Sequence, residues 1–135
     1  MTVRICLLGL AAVLVSRPAL SDDSYPDLRG SWKGTVEAVS VDQGQPAPKP
    51  EFGSYTASFE ITEQEDRRFA GQYTFEGGGP KWIVGIITDP GRFLWSEPGG
   101  IAMGTIEGAD AISFCYLRST EFDQIASCER YQRDN

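Results

Sequence analysis

The stretch DLRGSWKGTVEAVS, residues 27–40, places a tryptophan between two glycines at the start of an alternating segment. Trp32, Val36 and Ala38 share one face of this segment with the glycines, and polar side chains occupy the other face. Alternation of apolar and polar side chains with a period of two residues is typical of a strand in an antiparallel sheet, with one face in the core and one in solvent. The stretch therefore predicts a first β-strand that buries Trp32.

Similar runs recur along the whole chain, separated by turns rich in glycine, proline and aspartate. They cover residues 30–39, 52–62, 68–76, 81–88, 92–96, 101–107, 111–118 and 124–132. Short connections favour hairpins between consecutive strands, and closing the sheet removes its two edges. The sequence thus predicts an all-β fold, an eight-stranded antiparallel up-and-down meander barrel, in preference to a sandwich. The fourth run, KWIVGIIT, is apolar on both faces and leaves its register open.

The first residues have the pattern of a secretory signal peptide. Arg4 gives a positive start, ICLLGLAAVLV is an apolar run too short for a typical membrane span, and Ala19 and Ser21 are small residues before a cleavage point. We predict a signal peptide over residues 1–21, cleaved after Ser21, and a periplasmic or secreted protein with no stable membrane anchor. An uncleaved membrane anchor is the alternative interpretation.

The rest of the chain is predicted to be a polar lead-in, residues 22–29, followed by a single barrel domain, residues 30–135. Without Arg4 and Arg17 it carries ten basic and nineteen acidic residues, a net charge of −9. A surface this acidic repels nucleic acid and anionic lipid, so neither is an expected partner. The charge suits a basic partner or solubility outside the cell.

Two cysteines remain after cleavage, Cys115 and Cys128, and they flank the predicted turn STEFD at residues 119–123. In a hairpin that turns there, they face each other across the last two strands, on the face predicted to be the outer wall. An even pair in an oxidising compartment predicts one structural disulfide. The chain has no histidine. This excludes histidine-based nucleophile systems and the usual zinc sites, and no metal or cofactor is predicted.

The motif residues Gly30 and Trp32, in LRGSWKGT on the first strand, resemble the G-x-W signature of the calycins. These are the barrels that include lipocalins, fatty-acid-binding proteins and avidins, and the chain is most similar to a small secreted bacterial barrel of the avidin type. The resemblance implies a basic residue at the end of the last strand that covers the tryptophan and closes the barrel floor. Arg133 is the candidate, with Arg130 the substitute if the register differs by one.

If Trp32 closes one end, a binding site belongs at the other end, near residues 42–50 and 76–81. The interior is expected to be either a filled core or an aromatic-lined cup for one small molecule. Alternation places Glu129 inward, where it would pair with Arg133 or bind a ligand; a register error would leave it in water. The candidate ligand-binding residues are Tyr55, Tyr73, Trp82, Trp95, Tyr116 and Glu129.

The leading functional hypothesis is a non-catalytic binding barrel for a small apolar or aromatic ligand. One alternative is a protease inhibitor, because the chain also resembles small secreted barrels that inhibit proteases with their N-terminal segment. In this chain the segment DDSYPDL would enter the protease cleft. Another is a structural role with a homo-oligomer formed through the outer apolar side of KWIVGII. An enzyme is not expected, and a hydrolase that uses carboxylates is the remaining catalytic alternative.

Overall fold

The computed structural model describes residues 25–75 and 78–134, so the predicted signal peptide and the start of the lead-in lie outside the described residues. The described residues form eight β-strands. These are β1 (Gly30–Asp42), β2 (Pro50–Glu65), β3 (Arg68–Phe75), β4 (Lys81–Asp89), β5 (Arg92–Glu97), β6 (Gly100–Ile106), β7 (Ala111–Ser119) and β8 (Asp123–Arg133).

Each strand pairs antiparallel with the next, and β8 pairs back onto β1, which closes the barrel. Cys115 and Cys128 are direct partners across β7 and β8 and form a disulfide on the exposed outer wall. The predicted eight-stranded antiparallel meander barrel with one disulfide is therefore confirmed. A disulfide of this kind is typical of an oxidising compartment.

The second hairpin differs from its predicted form. β2 continues to Glu65 rather than ending at residue 62, because a bulge between Ile61 and Glu63 absorbs one residue and carries the pairing onward. The turn shrinks to Asp66 and Arg67, with Asp66 at a φ of 56°. Short polar residues such as aspartate tolerate this left-handed conformation, so a tight turn forms without glycine.

The register of β4, which the sequence left open, is settled by burial. Ile83 and Ile87 are fully buried inside the barrel, whereas Trp82 and Val84 are exposed on the outer wall. Gly85 shares the inner face, and a Cβ there would lie 2.2 Å from Cζ of the Phe69 ring. Glycine at this position lets the Phe69 ring lie against the strand.

Aromatic rings fill the middle of the barrel. The Phe59 ring centroid lies 5.7 Å from that of Trp32, 5.2 Å from that of Trp95 and 4.9 Å from that of Tyr131. The Phe114 ring stacks on Tyr131 at 5.2 Å. Such pairs contribute about 0.5–1.5 kcal/mol each beyond the burial of area. The interior is therefore a solid core from the Trp32 end to the level of Tyr131.

Trp32 closes the floor of the barrel. Its side chain is fully buried, and its indole Nε1 donates to the carbonyl oxygen of Leu28 at 3.0 Å. The Arg133 guanidinium carbon lies 4.3 Å from the indole centroid, so the guanidinium covers the ring. Gly30 has a φ of 125°, and a Cβ there would meet Arg133 Nη1 at 3.1 Å. Glycine is thus required beside the arginine.

The described part of the lead-in, residues 25–29, packs onto the floor of the barrel. Leu28 is buried in the core, and its amide donates to Gln64 Oε1 at 2.8 Å. Arg133 donates through its guanidinium to the carbonyl oxygens of Asp27, at 2.9 Å, and Arg29. Residues 25–29 are therefore fixed across the floor, and the mouth of the barrel is the opposite end.

Candidate functional site

A cavity of about 220 Å³ opens at the end of the barrel opposite Trp32. It lies where the odd-numbered strands end, which is the end that the sequence predicts. We call this cavity the cup. Its lining residues are Tyr55, Tyr73, Lys81, Trp95, Glu97, Phe114, Tyr116, Arg118, Ile125 and Glu129.

Five of the six residues proposed from the sequence meet in the cup: Tyr55, Tyr73, Trp95, Tyr116 and Glu129. The sixth, Trp82, is 59% exposed on the outer wall. Its predicted place inside the barrel is wrong, because the pairing of β3 with β4 turns Ile83 inward instead. Whichever face of β4 turned inward, large apolar side chains would be buried. Alternation in the sequence therefore could not decide which face of this strand lies inside the barrel.

Glu129 forms the base of the cup. It is only 6% exposed, and its Oε2 accepts from the Tyr131 hydroxyl at 2.5 Å and from the Tyr73 hydroxyl at 3.3 Å. Its Oε1 accepts from the Ser127 hydroxyl at 2.9 Å. The predicted pairing with Arg133 is wrong, because Arg133 covers Trp32 at the other end of the barrel. Three hydroxyl groups take the place of a cationic partner.

Burial shifts the pKa values of Glu129 and of the tyrosines that donate to it. Desolvation raises the pKa of Glu129, and the hydrogen bonds from Tyr131, Ser127 and Tyr73 oppose that rise. Desolvation also raises the pKa of Tyr73 and of Tyr131, and the nearby Glu129 carboxylate adds to both shifts. The tyrosines therefore stay protonated and remain hydrogen-bond donors throughout the physiological pH range.

The rim of the cup carries charged side chains that the sequence reading missed. Desolvation raises the pKa of Glu97, opposed by Tyr116, Lys81 and Arg118. Arg118 forms an ion pair with Asp123 at the turn between β7 and β8. Glu97 follows Trp95 by two residues and Arg118 follows Tyr116 by two, so alternation could have placed both inward. Their position at strand ends, next to turns, obscured that signal.

Three buried side-chain atoms in the described part of the chain have no hydrogen-bond partner. They are Trp95 Nε1, Glu97 Oε2 and Arg118 Nε, and all three belong to residues that line the cup. A buried polar atom without a partner costs about 1–3 kcal/mol. The barrel thus concentrates its unmet hydrogen bonds around one cavity.

A larger depression, about 670 Å³, crosses the outer wall over the disulfide between Cys115 and Cys128. Exposed apolar side chains such as Phe52 and Leu117 border it. It lies open along the wall, so a small molecule there would keep much of its surface in water. Small-molecule sites usually enclose most of their ligand, and we therefore assign the candidate site to the cup.

Glu129 gives the barrel a testable pH dependence. Because burial raises its folded-state pKa above the unfolded value, the folded protein holds this proton more tightly. The associated stability is complete below pH 4.5, the ordinary pKa, and is lost as pH rises through the raised pKa. In Glu129→Gln this loss is absent. The stability of the wild type relative to the variant should fall with rising pH, by up to about 1.4 kcal/mol per unit.

Urea unfolding from pH 4 to pH 8 measures this difference. Glu60→Gln on the exposed outer face of β2 is the matched control, since it also removes one negative charge from the acidic protein. A Glu129→Gln profile parallel to that of the wild type would show that the carboxyl does not titrate differently in the folded state.

Among the described residues, no group of three or more aspartate, glutamate or cysteine side chains is arranged to hold a metal ion. Across residues 25–75 and 78–134, no helix has the length and apolar character to cross a membrane.

Comparison with known proteins defines the class of fold. No protein-family model matches the chain, and no curated protein matches it either. Two solved barrels are similar in structure. A redesigned β-barrel, b11L5F_LGL, is 14% identical with a TM-score of 0.49 over 80% of this chain and 92% of that one. EF1p2_mFAP2b bound to DFHBI is 15% identical with a TM-score of 0.50 over 79% and 94%. At this identity the likeness concerns the barrel fold alone.

Proposed function

We propose that this chain is a non-catalytic binding barrel that takes a small apolar or aromatic molecule into the cup. The observation that carries the proposal is the uneven filling of the interior. Aromatic rings occupy the barrel from Trp32 to Tyr131, and the space above Glu129 is open. A core that needed only stability would be filled throughout, because voids cost free energy.

The wall of the cup suits an aromatic guest. Trp95 and Phe114 lie with ring centroids 4.3 Å apart at 61°, and Tyr73 approaches Trp95 at 6.4 Å. These rings are fixed by their neighbours in the core, so a flat ligand gains edge and face contacts at little entropic cost. EF1p2_mFAP2b, a barrel of similar fold, was solved bound to DFHBI, which supports binding of a small molecule by this fold.

The proposal includes a setting outside the cytoplasm, periplasmic or secreted, after removal of residues 1–21. The Cys115–Cys128 disulfide supports an oxidising compartment. The sequence pattern of the first residues supports export.

The other hypotheses receive less support. Residues 25–29 are bound across the floor by Gln64 and Arg133, so this part of the lead-in is not presented to a protease cleft. The cup holds two carboxyl groups, from Glu97 and Glu129, but its volume suits one ring rather than a glycoside substrate. Self-association through the exposed outer face of β4, with Trp82 and Val84, stays a prediction.

Blocking the mouth tests the proposed function. Ile125 lines the cup near its opening, and Ile125→Trp should fill the space and abolish retention of a small molecule. The neighbouring Gln124 is exposed on the outer wall, so Gln124→Trp is the matched control. Native mass spectrometry of protein purified from its own source should show a bound small molecule with the wild type and Gln124→Trp. Retention by Ile125→Trp would place the ligand elsewhere.

A further inference from the structure

The buried atoms around the cup that lack a hydrogen-bond partner favour a ligand that carries both a donor and an acceptor. Trp95 Nε1 and Arg118 Nε are donors, and Glu97 Oε2 is an acceptor. Trp95 is 3% exposed, so water in the bulk does not complete its hydrogen bond. An occupant that carries both an acceptor and a donor can satisfy both kinds of group, whereas a hydrocarbon leaves all of them unmet.

The charges around the cup favour a neutral occupant. The lining of the cup holds two carboxyl groups, from Glu97 and Glu129, and two cationic groups, from Lys81 and Arg118. Neither sign predominates. An organic anion would also approach against the acidic surface of the protein, and an organic cation would meet Lys81 and Arg118 at the rim.

The volume limits the size of the occupant. A dry cavity of about 150 Å³ accommodates benzene. The cup, at about 220 Å³, therefore accommodates one ring with a short polar substituent and excludes larger fused systems from its interior. The aromatic wall formed by Trp95 and Phe114 favours a planar ring over an aliphatic chain.

We infer that the ligand is a neutral, single-ring aromatic compound that bears a hydrogen-bond donor and an acceptor close together, as aromatic amides and phenols do. The ring lies against Trp95 and Phe114. The acceptor faces Trp95 Nε1 and Arg118 Nε, and the donor faces Glu97 Oε2 after small side-chain rotations at the rim. This inference rests on the proposed function of the cup and adds the chemical class of its guest.

Four probes of similar size separate the possibilities: benzamide, benzoate, benzylammonium and toluene. The purified protein has three indole N–H groups, which give three signals in a ¹H–¹⁵N spectrum. The indole N–H of Trp32 donates to the Leu28 carbonyl oxygen, and Trp82 is exposed on the outer wall. The signals of these two indoles therefore serve as internal references for the Trp95 signal. Benzamide should shift the Trp95 signal and bind about tenfold more tightly than each other probe, the effect of one satisfied buried group.

Trp95→Phe keeps an aromatic ring and removes the donor. In this variant the preference for benzamide over toluene should fall severalfold, measured by ligand-observed NMR, while toluene affinity stays within about twofold of the wild type. Trp82→Phe on the outer wall is the matched control and should leave all four affinities unchanged. A merely structural role for Trp95 would instead reduce the affinity for every probe alike.

The outcomes separate the two proposals. If toluene or a charged probe binds as well as benzamide and shifts the Trp95 signal, the inference about ligand class is overturned and the proposed binding function stands. If benzamide keeps its full preference in Trp95→Phe, the inference is likewise overturned. If no probe shifts the Trp95 signal and Ile125→Trp retains the native ligand, the proposed function fails, and the inference fails with it.

Discussion

Trp32→Ala is expected to lower the free energy of unfolding by about 3–5 kcal/mol, which is typical when a fully buried large aromatic side chain is truncated. The loss has three physical sources. The cavity left at the floor removes the contact with Phe59, the hydrogen bond to the Leu28 carbonyl disappears, and Arg133 loses the ring that it covers. Urea unfolding followed by circular dichroism measures the change.

Trp82→Ala is the control for this prediction. Trp82 is on the outer wall, so its truncation should change the free energy of unfolding by about 0.5 kcal/mol or less. A Trp32→Ala variant that is as stable as Trp82→Ala would contradict the assignment of Trp32 to the floor. Loss of ligand binding with stability intact would place Trp32 at the binding site instead.

The double replacement of Cys115 and Cys128 by serine is expected to lower the free energy of unfolding by about 3 kcal/mol. The bridge spans a sequence separation of 13, and closing a loop of this size restricts the unfolded chain by about that amount. Both positions are exposed on the outer wall, so serine leaves no buried cavity. The cup and its ligand preference should be unchanged.

Reduction of the wild type provides the matching measurement. The wild type in excess reductant and the double-serine variant should unfold at the same urea concentration, well below that of the oxidised wild type. The free energies of unfolding of the oxidised wild type and the double-serine variant could instead differ by less than about 1 kcal/mol. That result would show that another effect of the disulfide offsets the stabilisation it provides by restricting the unfolded chain.

Much of this fold follows from residue alternation and from turn chemistry. In the first part of β1 and the middle of β2 one face is mainly apolar, and the structure buries that face, as with Trp32, Val36 and Phe59. The disulfide pairing of Cys115 with Cys128 followed from the position of the turn between β7 and β8. In β4 the same reasoning fails, because Trp82 and Ile83 are both large and apolar. Only packing against β3 and β5 decides which one faces inward.

The candidate site was partly predictable for the same reason. Alternation placed Glu129 inside, and the structure surrounds it with three hydroxyl groups. Its partners come from β3 and β8, and spacing along the chain does not reveal which tyrosines meet across the barrel. The volume left open above Glu129 is also invisible in sequence, because it depends on how completely Phe114, Trp95 and their neighbours fill the middle layer.

We expect the seam between β1 and β8 to form late in folding. The seam pairs Trp32 with Arg133, and Arg133 also donates to the carbonyl oxygens of Asp27 and Arg29 in the lead-in, 106 and 104 positions away. Closing so long a loop costs conformational entropy, and we expect contacts of the seam to offset that cost only once the intervening strands are in place. Until then the first and last strands are open edges that another chain can pair with. We expect the net negative charge of the chain to disfavour such pairing, because like-charged chains repel each other.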